Sequence, residues 1–119
     1  MVLLLTVELI KYKAHNVIQP DIVHHFSDGL YAKETFIPKD MILKQHKHEY
    51  SHLSILAKGS VVVNKDGDLI TYKAPCCIEI EKAISHGVLA LEDCVWYCIH
   101  ATDEKDSDKV DEVLIQKEV

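Results

Sequence analysis

Apolar and polar residues alternate with a period of two along most of this chain. In "LLLTVELI", Leu3, Leu5, Val7 and Leu9 fall on one face, the pattern of a half-buried strand. Further strand-like segments are "LYAKETFI" (30–37), stopped by Pro38, then "MILKQHKH" (41–48) and "HLSILAKG" (52–59), stopped by Gly59. "SVVVNKDGDLITYK" (60–73) reads as a hairpin, because Asp66-Gly67 at its tip suits a tight turn of positive φ. "CCIEIE" (76–81) and "HGVLALE" (86–92) flank "KAIS", with Ile78 and Ile80 directed inward. "CVWYCIHA" (94–101) closes the series. Its alternation puts Cys94, Trp96, Cys98 and His100 on one face, expected to be core or dimer interface. Strands spaced about ten residues apart, with polar turns between them, predict an all-β sandwich or barrel.

The end of the chain breaks this period. In "TDEKDSDKVDEVLIQK", Val110, Val113 and Leu114 stand at i, i+3 and i+4 behind the candidate caps Asp106, Ser107 and Asp108. That spacing predicts a short C-terminal helix, or an acidic tail with one apolar stripe, over 103–119.

Composition narrows the function classes. With 119 residues, the expectation is one domain over 1–119. A net charge of −6 argues against general affinity for nucleic acid or acidic membranes. All 13 basic residues are lysines, so the usual bidentate clamp for carboxylate and phosphate is missing. Cys76, Cys77, Cys94 and Cys98 lack C-x-x-C spacing and are expected to be reduced core residues. The apolar N-terminal run lacks a basic leader and a cleavage site and is interrupted by Glu8. No signal peptide or membrane span is therefore expected, and the cytoplasm is the expected compartment.

The chemistry is concentrated in "KQHKHEYSH" (44–52). His46 and His48 are two apart, hence on one face of a strand, and His52 follows at the start of the next. Imidazole is the commonest protein ligand for mid-series divalent metals. From spacing alone, the stretch is either three corners of a metal site or a solvated turn. His86 opens a later strand, and alone would be an ordinary core or surface histidine. Glu49 and Tyr50 are candidate partners of such ligands, or plain exposed turn residues. Glu81 is expected to face solvent, and His24 and His25 to lie in a loop.

Taken together, "HKHEYSHLSILAKG" (46–59) and "PCCIEIEKAISH" (75–86) resemble the two motifs of the cupin superfamily. The first motif has His46, His48, His52 in the usual glutamate slot, and Gly59 six residues on. The second has Pro75, Ile78, Ile80 and His86. The likeness covers roughly residues 28–100, and the barrel is expected within about 28–102. It departs from the pattern in four places: His52 replaces the usual glutamate, Asp40 and its neighbours stand where a glycine precedes the first motif, and Glu81 and Ala83 replace the proline and glycine of the second.

The resemblance implies a cupin double-stranded β-helix, or jelly-roll barrel. It also implies a metal site of four histidines, His46, His48, His52 and His86, holding a divalent ion: Mn, Fe, Ni, Cu or Zn. Four neutral imidazoles would leave such an ion its full charge. An octahedral ion would keep two open positions and could support chemistry, whereas tetrahedral zinc would be saturated. Two functions follow as expectations. One is a metal-dependent oxygenase or related oxidoreductase; the absence of arginine favours a small neutral organic substrate. The other is a non-catalytic module that holds or senses a small ligand or metal. A homodimer is also expected, since small cupins pair through sheets and an unpaired "MVLLLTVELI" strand would invite aggregation.

Overall fold

The computed structural model describes residues 21–45, 50–81 and 86–110. Among them run nine strands: β1 (Asp21–Ser27), β2 (Leu30–Ile37), β3 (Ile42–Gln45), β4 (His52–Lys58), β5 (Ser60–Lys65), β6 (Asp68–Lys73), β7 (Cys76–Ile80), β8 (His86–Ala90) and β9 (Cys94–Ala101). They form two antiparallel sheets, in the orders β1-β2-β9-β4-β7 and β3-β8-β5-β6. The sheets pack face to face. Ile37, Leu56, Ile78, Ile80, Cys94, Trp96 and Cys98 from the first meet Val61, Val63, Val88 and Ala90 from the second in one core. The expected all-β barrel is therefore what the chain builds.

Local chemistry explains the corners. Gly59 (φ +90°) carries the chain from β4 in one sheet to β5 in the other. A Cβ there would lie 2.6 Å from Cys94 Sγ and 2.7 Å from the Asp93 carbonyl oxygen, so only glycine fits. The β5–β6 hairpin turns at Asp66 (φ 53°) and Gly67 (φ 100°), both left-handed as a type I′ turn demands. The Asn64 carboxamide oxygen accepts the Gly67 N–H at 2.8 Å. Asp40, standing near the missing motif glycine, adopts φ 70°. It takes up a backbone shape that glycine adopts freely and aspartate tolerates.

The second sheet is apolar on both sides. Ile42, Val62 and Leu89 are register partners on its outer face and form a separate buried cluster with Leu69 and Leu91. Burial on both faces is why "VVV" and "GVLAL" read as continuous apolar runs instead of alternating ones.

Several sequence expectations change. His24 and His25 are not in a loop: all seven residues of β1 pair with β2, from Asp21 opposite Phe36 to Ser27 opposite Leu30. The histidine pair hid a strand whose inner side carries Ile22, His24 and Phe26, the two rings stacked with Tyr31. Of the expected third strand at 41–48, Ile42–Gln45 are described as strand, and residues 46–48 lie outside the described residues. The expected strand at 3–10 lies outside them too. The cysteines are free, as expected, but Cys77 is exposed and Cys76 half-buried; only Cys94 and Cys98 are core. Alternation along β7 turns Cys77 to the outer face of the sheet and Ile78 and Ile80 to the inner one.

After β9 the chain folds back. Thr102 N–H bonds the Gly29 carbonyl at 3.0 Å, and Lys105 Nζ meets Asp28 Oδ1 at 3.0 Å. Asp106 is the cap: its Oδ1 accepts Asp108 N–H at 2.9 Å, and its carbonyl accepts Val110 N–H at 3.0 Å. Val110, fully buried, packs on Tyr31 and Phe26. The remainder of the expected helix lies outside the described residues.

Candidate functional site

The inner face of the five-stranded sheet is polar at one end. Its inner positions there are His24 and Phe26 on β1, Tyr31 and Lys33 on β2, Cys98 and His100 on β9, and Ser54 and His52 on β4. Register aligns Phe26 with Tyr31 and Tyr31 with His100, and in the next row His24 with Lys33, Lys33 with Cys98, and Cys98 with Ser54.

His52 opens β4 and is 6% exposed. Its Nδ1 lies 3.2 Å from the Leu53 carbonyl oxygen, an acceptor, so the bond requires the proton on Nδ1. That tautomer leaves the lone pair on Nε2, itself a buried atom. The His100 ring, 5% exposed, packs at 4.3 Å between centroids and a 42° tilt. Tyr31 stacks on His100 at 6.1 Å and on His24 at 5.7 Å, and its hydroxyl is 2.6 Å from His24 Nδ1. Four aromatic side chains from four strands thus run in contact from His52 to His24.

Beneath this row, Cys98 Sγ accepts the Ser54 hydroxyl at 3.6 Å and the Trp96 indole N–H at 3.3 Å. Those bonds supply partners that a buried hydroxyl and indole need. At the opposite end of β9, burial pushes the Cys94 thiol up from its ordinary pKa, so it stays protonated at neutral pH.

The expected ligands are placed as follows. His52 lies on the inner face, and its register partner is Ile80 of the second motif. His86 begins β8, opposite Gln45, the residue before His46 in the chain. The barrel thus joins the two motifs by β3–β8 and β4–β7 pairing. His46 and His48 lie outside the described residues, and His86 is described by its backbone alone. Among the described residues, no three His, Cys, Asp or Glu side chains are grouped to hold an ion. Tyr50 is 64% exposed and Glu81 is exposed, as plain turn residues would be; Glu49 lies outside.

Sequence reasoning missed the row beside His52. Alternation put His100 on the Trp96 face but gave it no neighbour. Tyr31 and Lys33 share parity with Ile37, a signal present in "LYAKETFI". His24 could not be placed without recognising β1.

No family model matches the chain, and no curated protein does. Solved structures do. A cupin 2 domain-containing protein from Halorhodospira halophila superposes with a TM-score of 0.64 at 14% identity, covering 79% of this chain and 75% of that one. A Cupin 2 conserved barrel domain protein from Salinispora arenicola gives 0.63 at 14% identity, covering 79% and 82%. KdgF from Halomonas sp. gives 0.59 at 18% identity, covering 76% and 82%. Likeness at such identities shows the fold, and that fold is the cupin barrel.

Proposed function

We propose that this chain is a metal-binding small cupin that works as a metal-dependent oxidoreductase, in the manner of an oxygenase, on a small organic substrate. The observation that carries the reading is His52: a buried imidazole on the inner face, in the motif slot of a ligand, with Nδ1–H given to a backbone carbonyl and Nε2 left as the donor. A ligating histidine ordinarily donates its other ring nitrogen in this way.

The donor set fits a divalent transition ion, Mn, Fe, Ni, Cu or Zn, held by His46, His48, His52 and His86. Such an ion would supply Lewis-acid and redox chemistry at the end of the barrel. The chain's own residues would do the rest. His100 packs against His52 and limits its rotation, and Tyr31 backs His100. Val110 packs on Tyr31 and Phe26 and so supports that end of the row.

Elemental analysis of tag-free protein is expected to find about one ion per chain. Oxygen uptake with candidate substrates is expected in the wild type and lost in His48→Ala. Full metal loading with no oxygen uptake and a saturated shell by spectroscopy would instead favour a binding module.

A homodimer is part of the same proposal. Val23, Phe36 and Leu53 are large apolar residues exposed on the outer face of the five-stranded sheet, which supports pairing through that face. Light scattering is expected to give twice the chain mass, and a monomer would refute it.

A further inference from the structure

Tyr31 is the buried centre of the aromatic row. It is 1% exposed, and its ring stacks on His24, Phe26 and His100 at 5.7, 5.1 and 6.1 Å. Its hydroxyl lies 2.6 Å from His24 Nδ1, a short hydrogen bond. With the His24 proton on Nε2, the phenol O–H donates to Nδ1, so a base already holds the phenol proton. His24 is half-buried on β1, the end strand of the described sheet, and stays partly open to solvent. On the other side the row continues through His100 to His52, at 4.3 Å between those two rings.

A phenol alone gives up an electron with difficulty, because the radical cation it becomes is a strong acid with nowhere to leave its proton. A base hydrogen-bonded to the hydroxyl removes that obstacle, and electron and proton leave together. Burial adds the second requirement, since a phenoxyl radical at a surface is lost by coupling with another. Among the other described tyrosines, Tyr50 is exposed and Tyr72 and Tyr97 are half-buried. Tyr31 joins full burial to a histidine base.

We infer that Tyr31 and His24 form a one-electron relay beside the proposed metal site. Tyr31 loses one electron along the row toward His52, and its phenol proton moves to His24 Nδ1. A neutral tyrosyl radical and an imidazolium result. Return of one electron and of that proton restores the pair. The oxidant is a redox-active transition ion at the proposed site, one oxidation level above its resting state, which takes up the electron. The inference rests on the proposed function for that oxidant alone. A hydrogen bond that only satisfies a buried hydroxyl would stabilise the fold equally but would support no lasting radical.

The test uses chelator-stripped protein, with tris(bipyridyl)ruthenium(III), made by flash photolysis with persulfate, as the one-electron oxidant. Samples are freeze-quenched for electron paramagnetic resonance. A tyrosyl radical, identified by its narrowing with ring-deuterated tyrosine, is expected to outlast the coupling of exposed phenols. Tyr31→Phe should lose it, and Tyr50→Phe should keep it. His24→Phe keeps the ring stack but removes the base, and should slow its formation by about a hundredfold, the lower end of what a positioned base contributes. The wild type should form it more slowly in heavy water, a readout that depends on no variant. No lasting radical in the wild type, or one that survives in Tyr31→Phe, overturns the inference. So does a rate unchanged in His24→Phe or in heavy water. Metal content separates this from the proposed function: a chain that binds no metal yet forms the radical on Tyr31 sinks the metal reading and leaves the redox pair standing.

Discussion

The inner face of the five-stranded sheet has two halves built on the same alternation. In one half, Ile37, Leu56, Cys94 and Trp96 are fully buried and meet the valines of the other sheet. In the other, the same strands present Tyr31, Lys33, Ser54, His52 and His100. The first half gains from every apolar area removed from water. The second buries histidine and serine, which costs free energy unless each is hydrogen-bonded. A small domain has little stability to spare. Polar residues concentrated at one end of an otherwise apolar interior therefore mark where the molecule gives up apolar burial, and that end is where the proposed site lies.

Substitutions can break this contrast. The largest effect belongs to the apolar half: Trp96→Ala should lower unfolding free energy by about 4 kcal/mol in urea. A loss below ~1 kcal/mol there would mean that stability does not reside in that half. In the polar half the dominant effect should be linkage to metal. At a free ion concentration of one hundred dissociation constants, the ion should stabilise the wild type by about 2.7 kcal/mol. Chelator should remove that gain, and His52→Ala should show no chelator effect at all. Val110→Ala, at the covered end, should cost about 2 kcal/mol.

Finer changes sharpen the same contrast. Tyr31→Phe removes the contact with His24 and should cost about 1 kcal/mol. The smallest effect is kinetic. Burial, with Glu92 and Asp93 nearby, raises the Cys94 pKa, so its thiolate is scarce at neutral pH. Exposed Cys77 should be labelled by a thiol reagent well before Cys94, and equal rates would contradict the burial pattern.

The fold could be read early where period two and turn chemistry agreed. The Asp66-Gly67 hairpin, the inward Ile78 and Ile80, and the Cys94–His100 face are all as alternation places them. β1 escaped because "VHHF" joins polar rings to apolar ones, and only pairing with β2 reveals which ring faces inward. The cover of Tyr31 by Val110 escaped because it joins residues far apart in the chain. Spacing and resemblance could single out His52 as a candidate ligand. They could not give its tautomer, its contact with His100, or the inward direction of Lys33, since each depends on which strands become neighbours.

The central claim is that the polar end of the barrel holds a metal through histidine. Equilibrium dialysis of chelator-stripped, tag-free protein against Mn(II), followed by elemental analysis, tests it most directly. The account predicts about one ion retained per chain in the wild type and almost none in His52→Ala. Wild-type protein that retains no ion, or His52→Ala protein that retains as much as the wild type, would contradict it.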